Sequence, residues 1–217
     1  MTLVAIAIDG PAGSGKSTIA KRLATELAYI YIDSGAMYRA VTYKWLEKSN
    51  GKQSDQDPKL LSDIINQTNF VFDGNQVLIN DQDCSKEIRS NNVSQNVSYI
   101  ASFPVVREKL VELQRQMAKT KDVVMDGRDI GTVVFPDAKL KVFMVASAEV
   151  RAQRRAAQLK EQGEEVDLEQ LIQEIKLRDK TDSQRTHSPL VKADDAIEIK
   201  TDNLSIEEVV EAVLNLI

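Results

Sequence analysis

The sequence predicts an α/β fold, a parallel sheet covered by helices on both faces. Three observations carry that prediction. Short apolar, β-branched runs read as strands buried on both sides, and segments of helical spacing separate them almost throughout. The first run, Leu3-Val-Ala-Ile-Ala-Ile8, leads into Gly10-Pro11-Ala12-Gly13-Ser14-Gly15-Lys16-Ser17-Thr18, a match to G-x-x-x-x-G-K-[ST]. Ile19, Leu23 and Leu27 then recur at i, i+4 and i+8, one face of a helix. Strand, glycine-rich loop and helix together are the setting in which that motif cradles phosphate.

The spacing has a chemical reason. Glycines let the loop take turns that a Cβ forbids, so successive N–H groups point into one concavity. The helix starting near Lys16 adds its unpaired donors and positive dipole end at the same place. Lys16 would bring an ammonium to β- and γ-phosphates, and Ser17 a hydroxyl to Mg²⁺. A glycine-rich turn without a ligand is the alternative.

The elements follow in order. Tyr29–Ile32 reads as a second strand ending at the turn and cap cluster Asp33-Ser34-Gly35. Residues 36–46 read as a helix with Met37, Val41 and Trp45 inward. Residues 49–58 are a polar surface connection, and 59–67 a short helix. Residues 69–80 suggest a hairpin around Asp73-Gly74-Asn75, an antiparallel insert. Helices are predicted over 88–100 and 103–117, the second with Pro104 in its first turn. A strand over 123–126 ends in Asp126, and 127–132 reads as a loop. After a strand over 140–145, Ser147 caps a helix to Gln162, Gly163 breaks it, and 168–184 resumes. A strand over 196–200 and a helix capped by Ser205 and running to Leu216 close the chain.

With 217 residues, 42% apolar and 28% charged, the chain has the makeup of one globular α/β core with appended lobes. A net charge of -5 argues against a broad nucleic-acid or membrane footprint, so an anionic ligand must be held by local clusters. The single cysteine, Cys84, reads as a small filler side chain, and the single histidine, His187, as a loop residue. No apolar run approaches the ~20 residues of a membrane span. No basic leader precedes the first strand, which makes cytoplasmic residence the expectation.

In open α/β sheets ligands bind beyond the carboxyl ends of the strands. Three such ends are chemically loaded here: Asp9-Gly10, Asp33-Ser34 and Asp126-Gly-Arg-Asp129. Asp126 stands where a phosphate-loop protein holds Mg²⁺, with a plain turn or cap acid as the alternative. Arg178, Asp182 and Arg185 fall on one helical stripe, and Arg151, Arg154 and Arg155 on another across the Gly163 break. Two arginine faces suit a flap closing over transferring phosphate; a self-paired solvated face and a nucleic-acid patch are the other readings.

Taken in order, four segments resemble the bacterial cytidylate kinases, a branch of the nucleoside monophosphate kinases. They are Ile8–Ser17, Asp33–Arg39, Asp126–Pro136, and Glu174–Asp179 with Arg185. The resemblance implies a P-loop kinase made of a core (1–33, 118–150 and 186–217), a monophosphate-binding lobe with a small antiparallel insert (34–117) and a lid with flanking helices (151–185). It implies Mg²⁺-assisted phosphorylation of CMP or dCMP by ATP. Ser34, Ser98, Arg107 and Asp129 would surround the base, and Arg39, Arg128 and Arg185 would hold the acceptor phosphate. Asp182 and Arg178 would reach the sugar, the lid arginines would come from 151, 154 and 155, and Ser17 and Asp126 would serve the metal. The implied partners are small molecules only, and the implied working state is a monomer.

The base assignment has its own chemistry. Cytosine donates from its exocyclic amine to a carboxylate such as Asp129 and accepts at N3 and O2 from a guanidinium such as Arg107. Uracil turns a carbonyl toward that carboxylate. Other readings remain: a kinase for AMP or shikimate, a GTP switch, for which N-K-x-D and D-x-x-G are lacking, and a nucleic-acid-binding ATPase.

Overall fold

Two compact units make up the chain, Met1–Tyr31 with Lys121–Ile217, and Ile32–Thr120. The computed structural model describes residues 3–49, 58–73, 76–161, 163 and 165–217. Three sequence expectations therefore lie outside the described residues: the polar connection at 50–57, the Gly74-Asn75 turn and the helix end at Gln162.

Strand β1 (Ala5–Asp9) is the centre of a five-stranded, mostly parallel sheet and runs parallel to both its neighbours. It is flanked by β6 (Val123–Gly127) and β7 (Leu140–Val145), with β2 (Ile30–Asp33) and β8 (Ile197–Lys200) outermost. Every side chain of β6 is buried, as expected of a strand covered on both faces. Helix α1 (Lys16–Leu27) lays Ile19, Ala20, Leu23 and Ala24 against Ile6, Ile8, Val124 and Val142. Helix α8 (Ile206–Leu214) adds Val209, Val210 and Val213 to the same core. Ser205 and Glu208 close a reciprocal capping box at its start. Helices α6 (Ala148–Glu161) and α7 (Leu168–Ser183) complete this unit, with Gly163 between them at φ 81°.

The second unit is built on α2 (Ser34–Ser49), whose Met37, Val41 and Trp45 are buried as the spacing predicts. Helices α3 (Pro58–Gln67), α4 (Asn91–Ile100) and α5 (Pro104–Met117) join it. A small antiparallel sheet of β3 (Phe70–Asp73), β4 (Gln76–Ile79) and β5 (Gln82–Asp83) packs Val77 and Ile79 against Ala36 and Ala40.

Four expectations are corrected. The hairpin is a three-stranded sheet, because Asn80 and Asp81 take positive φ and turn the chain back into β5. The helix over 88–100 is a 3₁₀ turn, Glu87–Arg89, followed by α4, because Ser90 leaves helical geometry to cap α4 at Val93 N. Residues 130–134, within and just beyond the expected loop, form a π-helical turn in which Val134 and Phe135 donate to the carbonyls of Asp129 and Ile130. Finally, α7 ends at Ser183, so Arg185 is not on its helical stripe; its Nε donates instead to the Asp182 carbonyl.

Among the described residues no helix is long and apolar enough to cross a membrane. Removing the α8 cap with Ser205→Ala is expected to cost about 1 kcal/mol. Urea denaturation should show a lower midpoint with an unchanged slope.

Candidate active site

The phosphate-type loop is held open by its own backbone. Gly10 has φ 146°, and a Cβ there would overlap the carbonyl oxygen of Met144 on β7. Gly15, at φ 91°, opens α1 with no side chain to cap it. Lys16 is buried and donates from Nζ to the Pro11 carbonyl at 2.7 Å, with Ser14 Oγ at 3.4 Å. Burial, and then the Arg128 guanidinium, push this ammonium down to about 7.

Asp126 closes β6 beside this loop. Its Oδ2 accepts from Ser17 Oγ at 2.8 Å and its Oδ1 from Tyr31 Oη at 2.7 Å. Ser17 and Asp126 together offer a hydroxyl and a carboxylate, the hard oxygen donors that suit Mg²⁺. The next residues carry a charge cluster. Arg128 Nε donates to Asp182 Oδ2 at 3.0 Å, and Arg185 Nη2 lies 3.4 Å from Asp182 Oδ1. Burial alone would raise the Asp182 carboxyl, but Arg128, Arg185 and Arg178 together hold it below the usual carboxylate range. Asp129 is buried one residue beyond Arg128.

The α6 arginines behave differently from the expected open stripe. Arg151 is buried, its Nε donating to the Ala146 carbonyl at 2.9 Å and its Nη1 to the Ala12 carbonyl and Asp179 Oδ1, both at 3.0 Å. Arg154 donates to Thr201 Oγ1 at 3.2 Å and to the Thr201 carbonyl, and Thr201 Oγ1 in turn donates to the Ser14 carbonyl. Arg151 thus braces the loop directly at Ala12, and Arg154 braces it through Thr201. Arg155 is half-buried, and His187 is exposed.

The remaining expected residues fall in the second unit. Ser34 is buried at the start of α2, next to Asp33, whose Oδ1 accepts from Ala36 N at 2.9 Å. Arg39 is half-buried one turn on, with Nη1 close to Gly35. Arg107 on α5 is buried, donates to the Ala101 carbonyl at 3.2 Å and lies over the Tyr38 ring at 5.3 Å. Ser98 is half-buried on α4.

Comparison with known proteins gives the family. Residues 6–217 match the family model described as cytidylate kinase. The chain belongs to the cytidylate kinase family. A cytidylate kinase of Chloroherpeton thalassium is 51% identical, the match covering 98% of this chain and 92% of that protein. One of Bacillus cereus is 48% identical over 99% of this chain and 96% of its own length. In fold alone, the chain is similar to an uncharacterized protein of Eubacterium ventriosum, at TM-score 0.52 and 15% identity over 99% and 98% of the two chains. A shikimate kinase of Bacteroides thetaiotaomicron gives TM-score 0.50 and 16% identity over the same shares.

Sequence reasoning about this cytidylate kinase family member missed Tyr31, Asp179 and Thr201. Tyr31 had a readable signal, a polar-tipped aromatic on a strand two residues before the loaded Asp33. Asp179 ends one of the four family-like segments, but nothing local pairs it with Arg151, 28 residues away, and Thr201 had no signal, its partner Arg154 standing 47 residues away.

The depressed Lys16 ammonium has a measurable consequence. Above pH ~7 it is partly neutral without ligand, and a bound polyphosphate raises its proton affinity again. Binding of a triphosphate nucleotide at pH 8 should therefore take up a proton. Calorimetry in buffers of different ionisation enthalpy should detect that uptake, and Lys16→Met should abolish it.

Proposed function

We propose that this chain transfers the γ-phosphoryl group of ATP to CMP or dCMP, giving ADP and CDP or dCDP. The observation that carries the reading is the Ser17–Asp126 hydrogen bond beside buried Lys16, in a chain of the cytidylate kinase family. It joins a phosphate cradle to a strand-end carboxylate at the place where a nucleotide's metal ion is held.

The donor phosphates are bound by the loop Gly10–Thr18, with Lys16 at the β- and γ-oxygens. Mg²⁺, held by Ser17 and Asp126, would supply charge neutralisation on the β- and γ-phosphates. Arg128 and Arg185 in the first unit, and Arg39 in the second, are the proposed holders of the acceptor phosphate. Asp129 receives the cytosine amine, while Ser34, Ser98 and Arg107 are the proposed base contacts of the second unit. Asp182 and Arg178 are assigned to the sugar. Of the α6 arginines, Arg151 and Arg154 act through the loop they brace, and Arg155 meets transferring charge directly. The unit Ile32–Thr120 is the proposed monophosphate-binding lobe and 151–185 the proposed lid. The setting proposed is a cytoplasmic monomer acting on small molecules, with no nucleic-acid or membrane partner.

No side chain is needed as a general base. The attacking oxygen of a nucleoside monophosphate is already anionic near pH 7, so positioning and charge neutralisation carry the rate. Asp129 supports cytosine over uracil because a carbonyl facing a buried carboxylate leaves polar groups unpaired, which costs about 1–3 kcal/mol.

Steady-state assays coupled to ADP release should give kcat/KM about ten- to a hundredfold higher for CMP than for UMP. Equal values would remove the base assignment. Lys16→Ala should lose turnover by about a hundredfold or more, the scale of a lost transition-state donor, while His187→Ala keeps it. Loss of turnover in the folded histidine variant at saturating substrate would contradict the mechanism.

A further inference from the structure

Of the three strand ends, Asp9 and Asp33 take no part in the reaction above, and of these two only Asp9 is buried. Its main chain is locked in the middle of the sheet, opposite Gly127 on β6 and Phe143 on β7. Its side chain is 5% exposed and makes two bonds, Oδ1 accepting from Ile130 N at 2.8 Å and Oδ2 from Gly131 N at 2.7 Å. These two amides open the π-helical turn, where no intrahelical acceptor exists for them. The turn has little room to slide. A Cβ at Gly131 would lie 3.1 Å from the Lys141 side chain and 3.4 Å from Asp9 Oδ2.

Arg128 and Asp129 immediately precede the captured amides. Arg128 is therefore held from two sides, by Asp182 at its guanidinium and by Asp9 through the following backbone. We propose that Asp9 is a positioning residue for the acceptor nucleotide. It sets the 128–131 backbone so that the Arg128 guanidinium and the Asp129 carboxylate stand in fixed relation to the loop beginning at Gly10. The inference rests on the acceptor roles proposed above for Arg128 and Asp129.

The electrostatics agree with this geometry. Burial, opposed by the Gly131 and Ile130 amides and by Lys16 and reinforced by Asp129, pushes the Asp9 carboxyl up to about 6. An ionised acid in so dry a place is tolerated only because both oxygens are satisfied. Asparagine offers one acceptor and turns its NH₂ against the second backbone N–H, so Asp9→Asn keeps the volume and breaks the clamp.

The test is steady-state kinetics of Asp9→Asn with CMP, UMP and ATP varied in turn, alongside amide hydrogen exchange. The expected result is a KM for CMP raised about tenfold and a reduced preference over UMP, the size of one lost charge-assisted bond. The KM for ATP should stay within about twofold, and exchange should speed up over 128–134. An unchanged KM for CMP, or equal losses for ATP and CMP, would overturn the proposal. Asp129→Asn separates it from the reading it rests on. If that variant keeps full CMP preference, the acceptor assignment fails; if it loses preference while Asp9→Asn does not, only the present inference fails. Should Asp9→Asn not fold, the wild-type chain decides by ¹⁵N NMR. The Ile130 and Gly131 amide resonances should shift together with Arg128 Nε on saturation with CMP, and a cluster that stays still overturns the proposal.

Discussion

The parallel register of β1 against β6 is the constraint on which the rest of the first unit depends. With Ile8 opposite Asp126 and Asp9 opposite Gly127, two acids from distant parts of the chain end on neighbouring strands, one residue out of register and so on opposite faces of the sheet. That pairing brings Asp126 to Ser17 and Asp9 to the amides of Ile130 and Gly131. A slip of one residue would turn every side chain of either strand to the opposite face. The pairing of β1 with β6 thus specifies chemistry as well as packing.

Around that pair the molecule concentrates positive charge locally while staying acidic overall, at a net charge of -5. Lys16, Arg128, Arg178 and Arg185 share a neighbourhood in which Asp182 and Asp126 are the counter-charges. Such a cluster is unfavourable by itself and becomes favourable when phosphate enters. Arg151 and Arg154 show the complementary use of the same residue type. Their planar donors reach the carbonyls of Ala12, Ala146 and Thr201, and Thr201 in turn donates to Ser14, so the phosphate loop is held from behind.

What could be read from the residues was what depends on local pattern. The loop from Gly10 to Thr18, the strand ends at Asp9, Asp33 and Asp126, and the buried face of α2 all follow from spacing within a few residues. What escaped depends on contacts across the chain. The π-helical turn exists because a carboxylate 121 residues away takes the amides of its first turn, and nothing in Ile130–Val134 announces it. The arginine stripes were visible as stripes, yet their partners were not. Periodicity places a guanidinium on a face without saying whether the face meets ligand or backbone. Arg185 was misread for a smaller reason, since α7 stops two residues short of it.

The second unit carries a built-in reporter. Cys84 is the only cysteine in the chain, and it is 2% exposed in the cluster formed by Ala36, Ala40, Val77, Ile79 and Ile88. Burial, and then the Glu87 and Glu47 carboxylates, raise its thiol above the ordinary range, so it is inert while that cluster stays closed. Alkylation of this one sulfur therefore clocks the breathing of the antiparallel insert against α2, without any label having to be engineered into the first unit.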